Sequence, residues 1–359
     1  MNLQQRMPAA ARHPRAMPVP TPAPAPALAT SPKPRHDFAS LASAVRAAGL
    51  LDKRPGWYIW RASATLTAIA ACVTAIVLVP SLPALVGISV ILGFALGQAT
   101  MLGHDAGHGQ IARSSIRNAV VGFANNVLVG GSWSWWVQSH DRHHGKPNQL
   151  GLDPAVNFDV IAMTREQALE KKGFVRFMVK YQAFFIAPLM AFYTLSLRID
   201  SFHHLRTAAR RPWMEAGLIA AHAILWLGAL GAVIGFWHAA LVLLVSQAAF
   251  GLYVASVFLP NHHGMPVVAA EERPDFVHHQ VVTARNVTGG LFTDFWFGGL
   301  NFQIEHHLFP QAPRANLRAI SRYVRPFCEE RGIPYHEAGW RQSYREVFSY
   351  LHEMSAPLR

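Results

Sequence analysis

Charge is what this chain has least of. Only 14% of its 359 residues are Asp, Glu, Lys or Arg, against about 25% in an ordinary soluble domain. With 51% hydrophobic residues and a mean hydropathy of +0.17, that shortage argues against a plain soluble protein and against disorder over most of the length. Cysteine is nearly missing too. Cys72 and Cys328 alone exclude a disulfide framework and a Cys-rich zinc or iron–sulfur site. There is no HExxH of a zinc protease and no GxGxxG opening a strand–helix unit. Acid is scarcer than base, 20 against 32, for a net charge of +12. A basic, apolar chain is expected to meet anionic headgroups or acidic partners. Its long charge-free runs make nucleic acid a poor partner.

The missing charge is concentrated in two places. No charged side chain lies between Arg61 and Asp105, and none between Glu215 and Glu271. The first run breaks at Val79-Pro80-Ser81-Leu82-Pro83, giving segments 62–79 and 84–103; the second breaks near Gly235, giving 216–234 and 237–259. Each segment is close to the roughly 20 residues that cross a bilayer as a helix. The turns between them are short, so each pair reads as a helical hairpin. Nine of the Lys and Arg lie in 1–61, thirteen in 113–211 and ten in 273–359, and neither hairpin turn has any. Positive charge marks the cytoplasmic side, so both chain ends and the central region are expected there. Residues 1–36, rich in Pro and Ala with no acid, read as a disordered basic tail without the apolar core of a signal peptide. Residues 37–359 form the folded domain.

Two further apolar stretches, 118–138 and 181–197, read as interfacial rather than spanning. The first carries Asn125, Asn126 and a Trp cluster, and the second Pro188; Trp favours the headgroup level. If either crossed alone, the histidine clusters would fall on opposite faces. The expected fold is therefore an all-α integral membrane protein, with four transmembrane helices in two hairpins, interfacial helices and a cytoplasmic histidine-rich cap.

Histidine is abundant, at 19 residues. His104-Asp105-Ala106-Gly107-His108 ends the second apolar segment. His140-Asp141-Arg142-His143-His144 follows the Trp cluster. Gln303-Ile304-Glu305-His306-His307 repeats the same offsets with Gln leading. Positions i, i+3 and i+4 share one helix face, so the imidazoles of each box converge. Asn261-His262-His263 follows the fourth segment. Lone His222 and His238 read as packing residues. Imidazole suits Zn, Cu, Fe and Ni. Seven or eight histidines exceed what one ion takes, so two metals fit better, and iron is the redox-capable choice for oxygen chemistry. Asp105, Asp141 and Glu305 are placed either to accept the free N–H of a ligand ring or simply to face water.

The boxes HDAGH, HDRHH and QIEHH resemble those of the membrane fatty acid desaturases. Gln303 at the head of the third box is similar to the front-end branch. So are Trp135-Trp136, His144-Gly145-Lys146-Pro147-Asn148, Asp153-Pro154, and the run from Gly298 to Pro310, GGLNFQIEHHLFP. The resemblance runs from about residue 38 to the end. It implies two irons held by His104, His108, His140, His143, His144, His306 and His307. Gln303 and one further ligand near the end of the fourth span would complete the set. His262 matches that last place best, with His263 and His279 as neighbours that also qualify.

The activity this resemblance implies is insertion of a cis double bond into an acyl chain. The acyl group is carried on a lipid, on CoA or on a carrier protein. O2 is the co-substrate and two external electrons are consumed. No HPGG haem motif is present, so a separate ferredoxin or cytochrome b5 with its reductase is expected to supply them. The expected location is multi-pass in a membrane, of a bacterial inner-membrane type, with the active site cytoplasmic. A hydroxylase or other oxygenase of the same superfamily is the nearest rival. A metal-ion transporter would place its histidines inside the spans near the midplane.

Overall fold

The computed structural model describes residues 38–79 and 81–359; the tail expected over 1–36 lies outside the described residues. The described chain is mostly helical. A short α1 (Phe38–Ala47) leads to α2 (Pro55–Leu78), and α3 (Leu82–Gly107) runs back beside it. Pro55 at the first position of α2 and Pro83 at the second position of α3 lose no helical hydrogen bond there. Next come α4 (Ser115–Val129) and α5 (Trp133–Gly145). They are followed by α6 (Arg165–Glu170), α7 (Gly173–Lys180), α8 (Gln182–Ala191) and α9 (Tyr193–Thr207). α10 (Pro212–Ala223) continues through a π-helical stretch, Ile224–Ala229, into α11 (Leu230–Ile234). Gly235, with φ +89°, makes the turn into α12 (Phe236–His262).

Four helices are long and apolar enough to cross a membrane: Pro55–Leu78, Leu82–Gly107, Pro212–Ile234 and Phe236–His262. The charge-free runs located all four but set the starts of the helices late and the ends of the second and fourth early. α3 and α12 run on to Gly107 and His262, because a helix does not stop where its lipid-facing stretch does. The α7–α8 pair also passes the hydropathy test but is bent by 107°. The stretch 118–138 is cut at Gly130, with φ +76°, into α4 and α5, each well short of a span. The stretch 181–197 is likewise divided between α8 and α9.

α3 and α12 form the buried pair of the bundle, and α2 packs on α3. Small residues let the two inner helices approach. A Cβ on Gly93 would fall 2.4 Å from the Ser246 carbonyl oxygen, and one on Gly97 would fall 2.2 Å from the Tyr253 ring. Leu92, Ala95, Leu96, Ala99, Phe250, Val254 and Val257 fill the seam. The remaining elements gather at the far ends of α3 and α12. They are α13 (Phe276–Val282), α14 (Leu291–Trp296), α15 (Gln303–Leu308), α16 (Leu317–Glu330) and α17 (Trp340–Met354). Parallel strands β1 (Asn286–Thr288) and β2 (Glu337–Gly339) pair Val287 with Ala338 and stitch this region together.

Candidate metal centre

Each histidine box rides on a helix end. His104 sits on the last turn of α3 and His108 caps it. His140, His143 and His144 occupy the C-terminal half of α5, and His306 and His307 lie on α15. His262 is the last residue of α12. The four ends meet, and the imidazoles divide into two groups. In one, ring nitrogens of His104, His108, His140 and His306 all lie within 4.8 Å of one another; in the other, the same holds for His143, His262 and His307. His144 lies between them. Its Nε2 is 3.1 Å from His140 Nε2, while its ring stacks on His307 at 4.2 Å between centroids.

The candidates offered for the last ligand are separated by geometry. His262 Nε2 faces His143 Nε2 at 3.2 Å. His279 turns its Nε2 to the Pro147 carbonyl at 2.8 Å, and the His263 ring lies by Phe158. Gln303 sits on the second group, with its Nε2 3.0 Å from His262 Nε2 and its Oε1 accepting from Asn261 Nδ2 at 3.0 Å. His222 and His238 bond backbone carbonyls away from both groups, as expected of packing residues.

Four of the eight rings brought together here are held from behind. His143 Nδ1 lies 2.9 Å from Asp153 Oδ2, His262 Nδ1 2.9 Å from the Thr283 carbonyl, and His307 Nδ1 2.8 Å from Gln280 Oε1. His104 Nδ1 lies 3.1 Å from Asp105 Oδ1, and Arg314 anchors the other oxygen of that carboxylate. An acceptor at Nδ1 fixes the tautomer and leaves Nε2 with its lone pair for a metal. Of the three acids singled out in the boxes, Asp105 alone does this. Asp141 is exposed, and Glu305 accepts from Asn286 and Tyr335 instead. Asp153, Gln280 and Thr283 were not identified as ring partners from the sequence; of these, only Asp153 carried a signal, as half of the Asp-Pro flank.

The donor set fits a metal. Among the described residues, His104 Nε2, His108 Nε2, His307 Nε2 and both nitrogens of His306 are buried without a hydrogen-bond partner. Such orphaned buried atoms are costly unless something fills the space between them. Burial first, then the neighbouring imidazoles, hold His108, His140, His144, His306 and His307 well below the ordinary imidazole range. The rings are thus neutral, the form that ligates. Burial works to raise Asp153, yet His143 and the Ala155 and Asn148 amides hold it below its usual value as a carboxylate. Burial pushes Glu305 up to about 7, against the pull of its Tyr335 and Asn286 donors.

α5 is fixed at its other end by a buried polar knot. Glu215, 1% exposed near the start of α10, accepts from Ser132 Oγ at 2.7 Å, Asn126 Nδ2 at 3.2 Å and the Ser134 amide at 3.3 Å. The Ser134 hydroxyl bonds it as well. The carboxylate therefore sits on the Ser134 amide in the first turn of α5, where the helix dipole favours it. Trp136 then stacks on His140 at 4.4 Å.

Comparison with known proteins points to one family. The fatty acid desaturase family model matches residues 80–339. The acyl-lipid (9-3)-desaturase of Physcomitrium patens is 28% identical over 331 residues, covering 89% of this chain and 62% of that protein. The Delta(8)-fatty-acid desaturase of Borago officinalis is 29% identical over 314 residues, covering 83% and 70%. A Delta(6)-fatty-acid desaturase of Caenorhabditis elegans is 27% identical over 316 residues, again covering 83% and 70%. This chain thus spans less than two thirds of the length of the first of these relatives. With a family match over most of its residues and the boxes converging on one centre, the chain belongs to the fatty acid desaturase family.

Proposed function

We propose that this protein inserts a cis double bond into a fatty acyl chain at a two-iron centre, in the manner of the front-end desaturases. The observation that carries the reading is the pair of imidazole groups with their unpartnered ring nitrogens. His104, His108, His140 and His306 would hold one iron, and His143, His262 and His307 the other. His144 stands between the two, and Gln303 stands at the second. When bound, the irons supply the redox power to remove two hydrogens from an unactivated CH2–CH2 pair, with O2 and two outside electrons yielding the alkene and two waters. The chain's own part is to hold the rings neutral and aimed. Asp105, Asp153, Gln280 and the Thr283 carbonyl fix them from behind.

The four apolar helices support an integral membrane protein. The Lys and Arg distribution supports a cytoplasmic centre, with both hairpin turns outside. Electrons are supplied by a separate acidic carrier drawn to that basic face. Expression in a bacterium that makes no polyunsaturated lipid, fed single fatty acids, tests the reading. A new alkene located by mass spectrometry is expected. A hydroxylated product in its place would favour the oxygenase alternative.

A further inference from the structure

A second polar cleft, outside the histidine centre, lies along α16. It has a volume of about 260 Å³, and its walls include Thr288, Asn301, Phe302 and three arginines, Arg318, Arg322 and Arg325. At offsets of three and four, the arginines share one face of the helix. The outer two are committed. Arg318 pairs with Asp294 and lies over the Phe302 ring at 5.3 Å; Arg325 pairs with Glu337 and lies over the Tyr335 ring at 5.5 Å. Arg322, between them, has no ion-pair or hydrogen-bond partner among the described residues. Three guanidiniums against two carboxylates leave one positive charge in the cleft. Asn301, 2% exposed, also lines it, and its Oδ1 has no donor among the described residues.

The depth of the cleft identifies what reaches it. α14 follows directly on the cleft strand and exposes Leu291, Phe292 and Phe295, with Leu291 86% exposed. Trp296 packs on Phe94 of α3 and Tyr253 of α12. Arg61, the last charge before the first charge-free run, lies over the Phe295 ring at 5.9 Å. The Arg61 contact brings the Phe295 side of α14 to the edge of the first charge-free run, the level expected of lipid phosphates. Apolar side chains on one side and a spare guanidinium on the other match an acyl-bearing phosphodiester.

We propose that this cleft binds the phosphate of a membrane phospholipid, with Arg322 as its cation and Asn301 accepting from a headgroup hydroxyl. Phe302 of the cleft is followed directly by Gln303 of the metal centre. Resting on the desaturase reading, the site would make a phospholipid the acyl carrier, held by its head while a tail reaches the irons.

The test is binding by the purified full chain in uncharged detergent, followed by calorimetry with dihexanoyl phosphatidylglycerol, inorganic phosphate and coenzyme A. The lipid should bind saturably, with inorganic phosphate at least about tenfold weaker. Arg322→Gln should weaken the lipid at least about tenfold, Arg322→Lys should recover part of it, and Arg206→Gln on α9 should change nothing. Arg322 is exposed and unpaired, so its variants should melt with the parent protein. No saturable lipid binding, unchanged affinity in Arg322→Gln, or tighter binding of phosphate or coenzyme A would overturn the proposal. Since no turnover is read, a chain that binds lipid but forms no alkene counts against the desaturase reading alone. A chain that forms alkene but ignores Arg322 counts against this one alone.

Discussion

The two imidazole groups are built on different terms. Every ring of the His143, His262, His307 group has its Nδ1 on a protein acceptor: a carboxylate, a backbone carbonyl and a side-chain amide. In the His104, His108, His140, His306 group, His104 alone is held that way. Its other rings are set by packing, His140 under Trp136 and His306 within 4.9 Å of the His104 and His108 rings, with both of its nitrogens unpartnered. On the two-iron reading, the second position would be organised before any metal arrives. The first would depend on the metal to fix its rings. Pre-organisation lowers the ordering cost of binding, so the second position should fill first and empty last.

The sharpest way to break that comparison is to remove one ligand from each group. His306→Ala and His307→Ala should both abolish product, and each should lower iron from two per chain to one. The iron kept by His306→Ala should resist a chelator longer than the iron kept by His307→Ala. Equal loss of both irons in either variant would mean that the groups form one indivisible cluster.

Cutting the support of one ring should have the next largest effect. Asp153→Ala frees His143 and also strips the Asn148 and Ala155 amides of their acceptor. Support of this kind is worth about 10- to 100-fold in metal affinity, read here as a fall at the second position only. Gln280→Leu should act the same way through His307 but more weakly, because a neutral amide is lost rather than a charge.

Packing support should matter less. Trp136→Leu removes the stack on His140, worth about 0.5–1.5 kcal/mol. Metal affinity at the first position should fall by no more than about tenfold, with the second unchanged. The smallest effect on metal is expected from Glu215→Gln. The amide keeps one acceptor but cannot serve all the donors around it, so the melting temperature should drop by an amount reflecting about 1–3 kcal/mol. Iron content after refilling should stay at two. If Glu215→Gln instead loses iron as readily as Asp153→Ala does, the knot at the start of α5 places the histidines and does more than stabilise the helix.

What could be read from the sequence follows from how far apart the interacting residues lie. Spans are legible because lipid excludes charge over some twenty consecutive positions, and four charge-free segments announce four helices. The boxes are legible because ligands on one helix face recur at three and four residues. The supports are different. Asp153 lies ten residues from His143, Gln280 lies 27 from His307, and Arg314 lies 209 from Asp105. Nothing local marks such pairs. Asp105 and Asp141 look alike in the sequence, each following the first histidine of its box, yet Asp105 is buried against Arg314 and bonds His104 whereas Asp141 faces out. Helix ends were misplaced because charge reports the membrane boundary, whereas α3 and α12 carry on past it to deliver His104 and His262.

The central claim is that these histidines hold two irons in two distinct positions. Mössbauer spectroscopy of the full chain grown on iron-57, with iron and zinc counted per chain, measures this directly. Two irons per chain, seen as two resolved quadrupole doublets, is the predicted result. A single iron, or one zinc with no iron, would contradict the account.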